Sequence, residues 1–178
     1  MNKDALSTLL KTSKLYAGIG SRDTPDPILR GMFLLGGALA ETGLTLRSGG
    51  STGADAAFEA GCDLKNGKKE IYLPWRGFNQ HPSLLYSPCR AAFLLARFFH
   101  PAWDVCSPTA KRLLARNCHQ ILGKSVLSPV DFVLYWAPER DGVVQGGTAL
   151  AINLARRLGI PCFNLQGSVL EEWQNLTR

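Results

Sequence analysis

Short apolar segments, most of them ended by glycine or proline, alternate along this chain with longer segments that favour helix. Leu15–Gly20 is the first apolar segment, and similar ones follow at 44–47, 70–74, 131–136 and 160–165. Largely apolar runs of this length are typical of strands that are buried on both faces. Because parallel neighbours need a crossover between them, the alternation predicts a doubly wound α/β fold, with a mainly parallel sheet of about five or more strands and helices on both faces.

Predicted helices occupy the segments between the strands. They lie at 28–41, 54–64, 91–99, 109–122 and 169–176, and another runs from the turn at 146–148 to 158. Gly43 should stop the first helix, and Ser51 or Thr52 could cap the second. The residues before Leu15 form a polar lead without a predicted element. With 178 residues, 46% of them hydrophobic, and no repeat or linker, the chain is predicted to form a single domain over residues 1–178.

Composition argues against several classes of protein. The longest apolar stretch, at 91–99, is interrupted by Arg97 and is too short for a membrane span. The N-terminal segment lacks the apolar core of a signal peptide, so we expect a cytoplasmic protein without a membrane partner. Five cysteines are widely spaced without a CxxC pair, and three histidines lack metal-like spacing, so we expect free thiols and no metal. The net charge of +6 favours an anionic partner, either a nucleic acid or a small phosphate compound.

Glycine-rich loops follow three of the predicted strands. They lie at 18–22, 48–55 and 146–148 and read GIGSR, SGGSTGAD and GGT. In an open parallel sheet, ligands bind beyond the carboxyl ends of the strands. Glycine lets the backbone and the next helix N-terminus approach a phosphate, and Arg22 could hold that phosphate bidentately. Neither a GxGxxG nor a GxxxxGK[ST] pattern is present, which disfavours a dinucleotide oxidoreductase or a P-loop NTPase.

Two carboxylates are candidate catalytic residues. Asp55 and Glu59 lie four residues apart on one face of the helix after the second loop. Either could contact a ribose or a base, or serve in acid–base chemistry. Asp55 could instead complement the dipole at the helix start, which is the structural alternative.

Aromatic residues next to strand ends are candidates for base stacking, which is worth about 1–3 kcal/mol per base. They are Trp75, Phe78, Trp103 and Trp136. Trp136 directly ends the fourth strand and is the favoured candidate, whereas Phe78 and Trp103 are expected in the core. The candidate ligand-binding residues come from the three loops, from this strand end and from a polar pair inside the helix at 109–122. They are Gly18, Gly20, Ser21, Arg22, Ser48, Gly49, Gly50, Ser51, Thr52, Asp55, Arg116, Asn117, Trp136, Gly146, Gly147 and Thr148.

With these motifs identified, the chain resembles the SLOG superfamily of Rossmann-like proteins over about residues 15–165. The likeness is closer to the DNA-processing protein A (DprA/Smf) family than to the LONELY GUY hydrolases. Residues 20–22 are similar to an early GSR motif of that family, and 48–55 to its SGxAxGxD loop. Arg116-Asn117 stands where the family has an RN pair, and 146–151 is similar to its later phosphate-side motif.

The hydrolase branch of the superfamily carries a PGGxGTxxE motif, whose glutamate takes part in cleaving an N-glycosidic bond. Here the corresponding segment, 145–151, has apolar residues where that glutamate would fall. This departure disfavours hydrolysis of that type and leaves no complete nucleophile–base pair in the motifs.

Three functions therefore stay open. The first is a sensor or sequestering module that binds a nucleotide or nucleotide-derived phosphate ligand without turning it over. The second is a nucleotide N-glycosidase, in which Asp55 or Glu59 acts as the carboxylate and Arg22 holds the phosphate. The third is a DprA-like protein that binds single-stranded DNA through basic side chains and aromatic stacking; those side chains are Arg22, Arg47, Arg112 and Arg116. We expect no cofactor, and the apolar segment at 91–99 predicts a homo-oligomer.

Overall fold

The computed structural model describes residues 3–177, so residues 1, 2 and 178 of the predicted domain lie outside the described residues. The strands of the main sheet are β1 (Leu15–Gly20), β2 (Thr45–Ser48), β3 (Lys69–Leu73), β4 (Leu85–Tyr86), β5 (Phe132–Trp136) and β8 (Cys162–Asn164). Their order is β4-β3-β2-β1-β5-β8, and every neighbouring pair is parallel. A separate antiparallel hairpin consists of β6 (Glu139–Arg140) and β7 (Val143–Val144).

Helices connect the strands and cover the sheet. They are α1 (Lys3–Thr12), α2 (Asp26–Glu41), α3 (Ala54–Leu64), α4 (Arg90–Phe99), α5 (Pro108–Leu122), α6 (Ala149–Arg157) and α7 (Ser168–Leu176), with short 3-10 turns at Phe78–Gln80 and Trp103–Val105. No helix among residues 3–177 combines the length and the apolar character that a bilayer crossing requires.

The sheet separates two hydrophobic cores, because successive side chains of a strand point to opposite faces. Tyr16 and Phe132 contribute to the core under α1, α2, α3 and α7. Ala17 and Val133 contribute to the core under α4, α5 and α6. The prediction of a doubly wound α/β fold with a parallel sheet is therefore confirmed.

The N-terminal segment is a helix rather than the polar lead that we predicted. Leu6 of α1 is buried, and Leu9 and Leu10 pack against the same core. The three leucines have the i, i+3, i+4 spacing of one helix face, so the signal was present in the sequence. α1 packs on α7, an element from the other end of the chain.

The start of α3 differs from the prediction in its cap. The helix has the predicted bounds, but its N-cap residue is Gly53, with φ of +79°, and no side chain caps it. The prediction of a Ser51 or Thr52 cap is wrong because the Ser51 hydroxyl is bound elsewhere, to Arg116. A side chain at Gly53 would also collide with the backbone of Ser21 and Arg22.

Candidate functional site

A cavity of about 460 Å³ opens at the carboxyl edge of the sheet, beside the ends of β1 and β5. The strand order reverses between these two strands, since β2, β3 and β4 lie on one side of β1 and β5 and β8 on the other. Such a reversal sends the following helices to opposite faces and leaves a crevice, which is where doubly wound folds bind ligands. Side chains of α5 form one wall, and the turn before α6 forms another.

The cavity brings together residues from all three glycine-rich loops and from α5. The candidate ligand-binding residues in its lining are Gly20, Ser21, Arg22, Ser51, Asp55, Arg116, Asn117, Gly146, Gly147 and Thr148. The candidates outside the lining are Gly18, Ser48, Gly49, Gly50, Thr52 and Trp136. The lining also contains residues that sequence reasoning did not single out as candidates, which are Ile19, Asp23, Leu113, Leu114, Gln120, Pro138, Gln145 and Ala151.

Two glycines outside the lining serve close packing around the site. A Cβ at Gly49 would lie 1.3 Å from Nη1 of Arg116, and one at Gly18 would lie 2.6 Å from the Phe58 ring. Gly49 therefore leaves the space that the Arg116 side chain occupies, and Gly18 lets α3 pack directly on β1.

Arg116 is the centre of a buried polar network. Its side chain donates from Nη1 to Oδ2 of Asp55 at 3.2 Å and from Nη2 to the Ser51 hydroxyl at 3.0 Å. Relative exposure is 5% for Arg116 and 3% for Asp55. Burial lowers the pKa of the Arg116 guanidinium, an effect that Asp55 opposes. Burial likewise raises the pKa of the Asp55 carboxyl against the influence of Arg116, so the two charges depend on each other.

Gln120 extends this network by one helical turn. With its amide oxygen turned towards the donors, Gln120 accepts from Nη1 of Arg116 at 2.9 Å and from the Gly49 amide at 3.1 Å. Its amide nitrogen then donates to Oδ1 of Asn117 at 3.0 Å. Asn117 in turn donates to the carbonyl oxygen of Gly147 at 2.8 Å, which ties α5 to the third loop. The i, i+4 spacing of Arg116 and Gln120 was the sequence signal for this contact.

The second loop uses part of its polar groups for contacts within the protein. The Ser51 amide donates to Oδ2 of Asp55 at 3.3 Å, and the Gly49 amide faces Gln120. Asp55 also lies in the first turn of α3, where a carboxylate neutralises the positive end of the helix dipole. Asp55 therefore fits the structural alternative, and this loop contacts Arg116 through Ser51 and Asp55.

The third loop, in contrast, leaves its helix end open. No acidic residue lies in the first turn of α6, and Thr148 at its N-cap makes no side-chain cap. A Cβ at Gly147 would meet nothing within 4 Å. Within residues 3–177, no hydrogen bond uses the amide groups of Gly147 or Thr148. The N-terminus of α6 thus offers free donors and a positive dipole end to the cavity.

Arg116 also carries an unsatisfied buried donor. Among the described residues, Nε of Arg116 has no hydrogen-bond partner, although the side chain is buried and lines the cavity. A buried N–H without an acceptor is costly, so this part of the network carries an energetic cost at the wall of the cavity. At the rim, the exposed Arg22 adds a positive charge that lowers the pKa of Arg116 further, and the exposed Asp23 adds a negative one.

Comparison with known proteins gives structural matches alone. No protein-family model and no curated protein matches the chain. DNA processing protein A from Streptococcus pneumoniae matches with a TM-score of 0.55 and 18% identity over 95% of this chain and 56% of that one. DNA processing protein A from Helicobacter pylori, whose structure describes a single-stranded DNA binding mode, matches with a TM-score of 0.51 and 18% identity over 94% and 76%.

The chain has the fold of DNA processing protein A. The Rossmann-like fold implied by the GSR and SGGSTGAD motifs is therefore confirmed. The chain spans 56% of the length of the Streptococcus pneumoniae protein.

Glu59, the second candidate carboxylate, lies outside the cavity lining. Its Oε1 accepts from Nζ of Lys69 at 2.7 Å and is 2.7 Å from Nε2 of His81. Lys69 also pairs with Asp63, so Glu59 belongs to an ion-pair cluster behind the site. Of the two candidate carboxylates, Asp55 alone lines the cavity.

The remaining basic and aromatic candidates also lie outside the cavity lining. Arg47 is buried, where it donates to Oε2 of Glu70 and to the Ser128 carbonyl. Arg112 is exposed, one turn before Arg116 on α5. Trp136 packs against the core under α2 and α3, away from the cavity lining.

Proposed function

We propose that this chain binds single-stranded DNA and that the cavity receives the phosphate and sugar of one nucleotide. The observation that carries the proposal is the open N-terminus of α6, whose turn lines one cavity together with Arg22 and Arg116. Among the described residues, the amide groups of Gly147 and Thr148 have no acceptor, and phosphate oxygens are acceptors. Amide groups at a helix N-terminus are a common seat for phosphate.

Charge supports a polymeric partner more than a single phosphate. Asp55 neutralises Arg116 within the cavity, and Asp23 offsets Arg22 at the rim. The site therefore binds a phosphate largely through neutral donors. The net charge of +6 is spread over the surface, with Arg76 and Arg112 exposed near this edge, and it attracts a strand with many phosphates. A protein of the same fold provides the precedent for single-stranded DNA.

A salt titration tests this proposal. Fluorescence anisotropy with a labelled oligothymidylate of about 20 nucleotides measures the association constant. The logarithm of this constant should fall linearly with the logarithm of salt concentration. Arg22→Gln should reduce the slope by about 0.7, the value for one phosphate of a single strand. Arg157→Gln is the matched control, because Arg157 is exposed at the far end of α6. Absence of binding at low salt contradicts the proposal.

A nucleotide-derived small ligand is the second candidate, and the size of the cavity favours it. A volume of about 460 Å³ falls within the range of small-molecule sites. A thermal-shift screen of nucleoside phosphates tests it, since a ligand at about a hundred times its Kd stabilises a protein by about 2.7 kcal/mol. Chromatography of the same mixtures tests the N-glycosidase alternative through the appearance of free base.

A further inference from the structure

The loop after β3 reaches the same edge of the sheet as the cavity. All strands of the sheet are parallel, so the carboxyl end of β3 opens on the edge where β1 ends. One strand, β2, lies between them, which places the two ends about 10 Å apart. A strand of DNA that leaves the cavity along this edge meets the loop at 74–81.

This loop is held in one conformation. Phe78 is buried against Ile71 and Leu73, and the Asn79 side chain donates to the carbonyl oxygen of Gly50 at 2.9 Å. Asn79 and Gln80 have φ angles of 52° and 60°, in the left-handed region that favours glycine. Non-glycine residues keep such angles where surrounding contacts fix them, so the loop is preorganised.

Trp75 is the aromatic residue that this loop presents. Its ring meets the Phe78 ring edge to face, with centroids 5.0 Å apart and an interplanar angle of 88°. Trp75 packs on the same small cluster as Leu113, and Leu113 lines the cavity. The indole is only half-buried, and the exposed Arg76 follows it. Within residues 3–177, Arg76 pairs with no carboxylate.

The other tryptophans are engaged elsewhere. Trp173 is fully buried, and Trp136 packs against the core under α2 and α3. Trp103 packs against α4, and the centroid of its ring lies 5.6 Å from Nζ of Lys111. Trp75 is thus the partly exposed tryptophan that packs beside a residue of the cavity lining, Leu113.

We propose that Trp75 stacks on the base of a nucleotide adjacent to the one in the cavity, while Arg76 contacts the backbone between them. This inference rests on the proposed binding of single-stranded DNA. A partly exposed tryptophan beside an arginine is a combination that single-strand binders use for bases of any sequence. The cavity and Trp75 then form two successive subsites along the sheet edge.

Affinity for two probes tests the second subsite. Trp75→Ala should weaken binding of an oligothymidylate of about 12 nucleotides by about tenfold and leave competition by thymidine 5′-monophosphate unchanged. Trp103→Ala is the matched control and should leave both affinities unchanged. Equal loss for both probes, or no loss for the oligonucleotide, overturns the inference while the proposed function stands. Failure of the wild-type protein to bind the oligonucleotide overturns both.

Fluorescence supplies a readout that does not depend on how well Trp75→Ala folds. Saturation of the wild-type protein with the oligonucleotide should quench tryptophan emission, because a stacked base quenches an indole. Trp75→Phe, which keeps an aromatic ring against Phe78, should retain binding and lose that quenching. Undiminished quenching in Trp75→Phe contradicts stacking on Trp75.

Discussion

The Nη1 atom of Arg116 lies 3.2 Å from Oδ2 of Asp55, and the sheet edge covers both side chains almost completely. The pair joins α5 to the first turn of α3, which follow different strands. It fixes the guanidinium of a residue that lines the cavity, and among the described residues Nε of Arg116 has no hydrogen-bond partner. A contact that organises the core thus also shapes the candidate binding site.

Removal of either partner should destabilise the protein. Asp55→Asn or Arg116→Met leaves an uncompensated or unsatisfied polar group in the interior, which costs about 3–5 kcal/mol for a buried pair. Urea denaturation of the two single variants and of the double variant measures their coupling. The double variant should be more stable than the sum of the single losses predicts. Additive losses, within about 0.5 kcal/mol, contradict a direct energetic link.

Gly49→Ala should disrupt the same network from the backbone side. The added Cβ would overlap Nη1 of Arg116, so the guanidinium must move and weaken its contacts with Asp55 and Ser51. We expect a loss of about 1–3 kcal/mol in the free energy of unfolding, as for other overpacked interiors. Gly147→Ala is the control, because its Cβ meets nothing within 4 Å and its stability should change little. Equal stabilities of the two variants are incompatible with this packing.

His119 should make stability depend on pH. Burial lowers its pKa below the ordinary value of 6.5, although the Gly123 carbonyl opposes the shift. The ring stacks on Tyr72, and its Nε2 accepts from the Cys89 amide at 3.2 Å, a bond that protonation breaks.

The sign follows from proton uptake by the unfolded chain. As the pH falls below 6.5, the unfolded chain binds a proton at His119 before the folded chain does. The free energy of unfolding should therefore be undiminished above that pH and fall as the pH drops through the folded pKa. The slope from one group is at most about 1.4 kcal/mol per pH unit. Urea denaturation at several pH values should show a shallower decline in His119→Gln. Identical declines refute a neutral His119.

Glu59→Gln separates the two candidate carboxylates. Its amide oxygen still accepts from Lys69, so the fold should persist with a loss of about 1 kcal/mol from the weakened charged hydrogen bonds. Because Glu59 lies outside the cavity, oligonucleotide affinity should stay within about twofold of the wild type, which is below 0.5 kcal/mol. If a folded Glu59→Gln protein no longer binds the oligonucleotide, Glu59 is part of the binding site and the prediction is wrong.

Local patterns predicted the fold well, because a parallel sheet requires apolar strand segments to alternate with helical segments along the chain. The bounds of β1 and α3 match the predictions, and GSR and GGT were placed at the same sheet edge. β4 was missed because two residues are too short for any periodicity. The homo-oligomer expected from the segment at 91–99 stays a prediction, although Leu94 and Phe98 of α4 are exposed.

The sequence could not predict how the three loops differ in their contacts within the protein. The SGGSTGAD loop looks as suitable for a phosphate as GGT does, and local patterns do not show that long-range contacts engage it. Arg116 and Gln120, on a helix more than sixty positions away in the chain, occupy the hydroxyl of Ser51 and the amide of Gly49. No equivalent partner occupies Gly147 among the described residues, apart from the bond that its carbonyl accepts from Asn117.

The most direct test of the account compares Gly147→Asp with Gly147→Asn in the oligonucleotide assay. The two side chains have the same shape, both fit the open space at Gly147, and they differ in one negative charge at the α6 N-terminus. If a DNA phosphate sits there, the aspartate should weaken binding by about tenfold or more relative to the asparagine, or about 1.4 kcal/mol. Equal affinities of the two variants would contradict phosphate binding at this helix end.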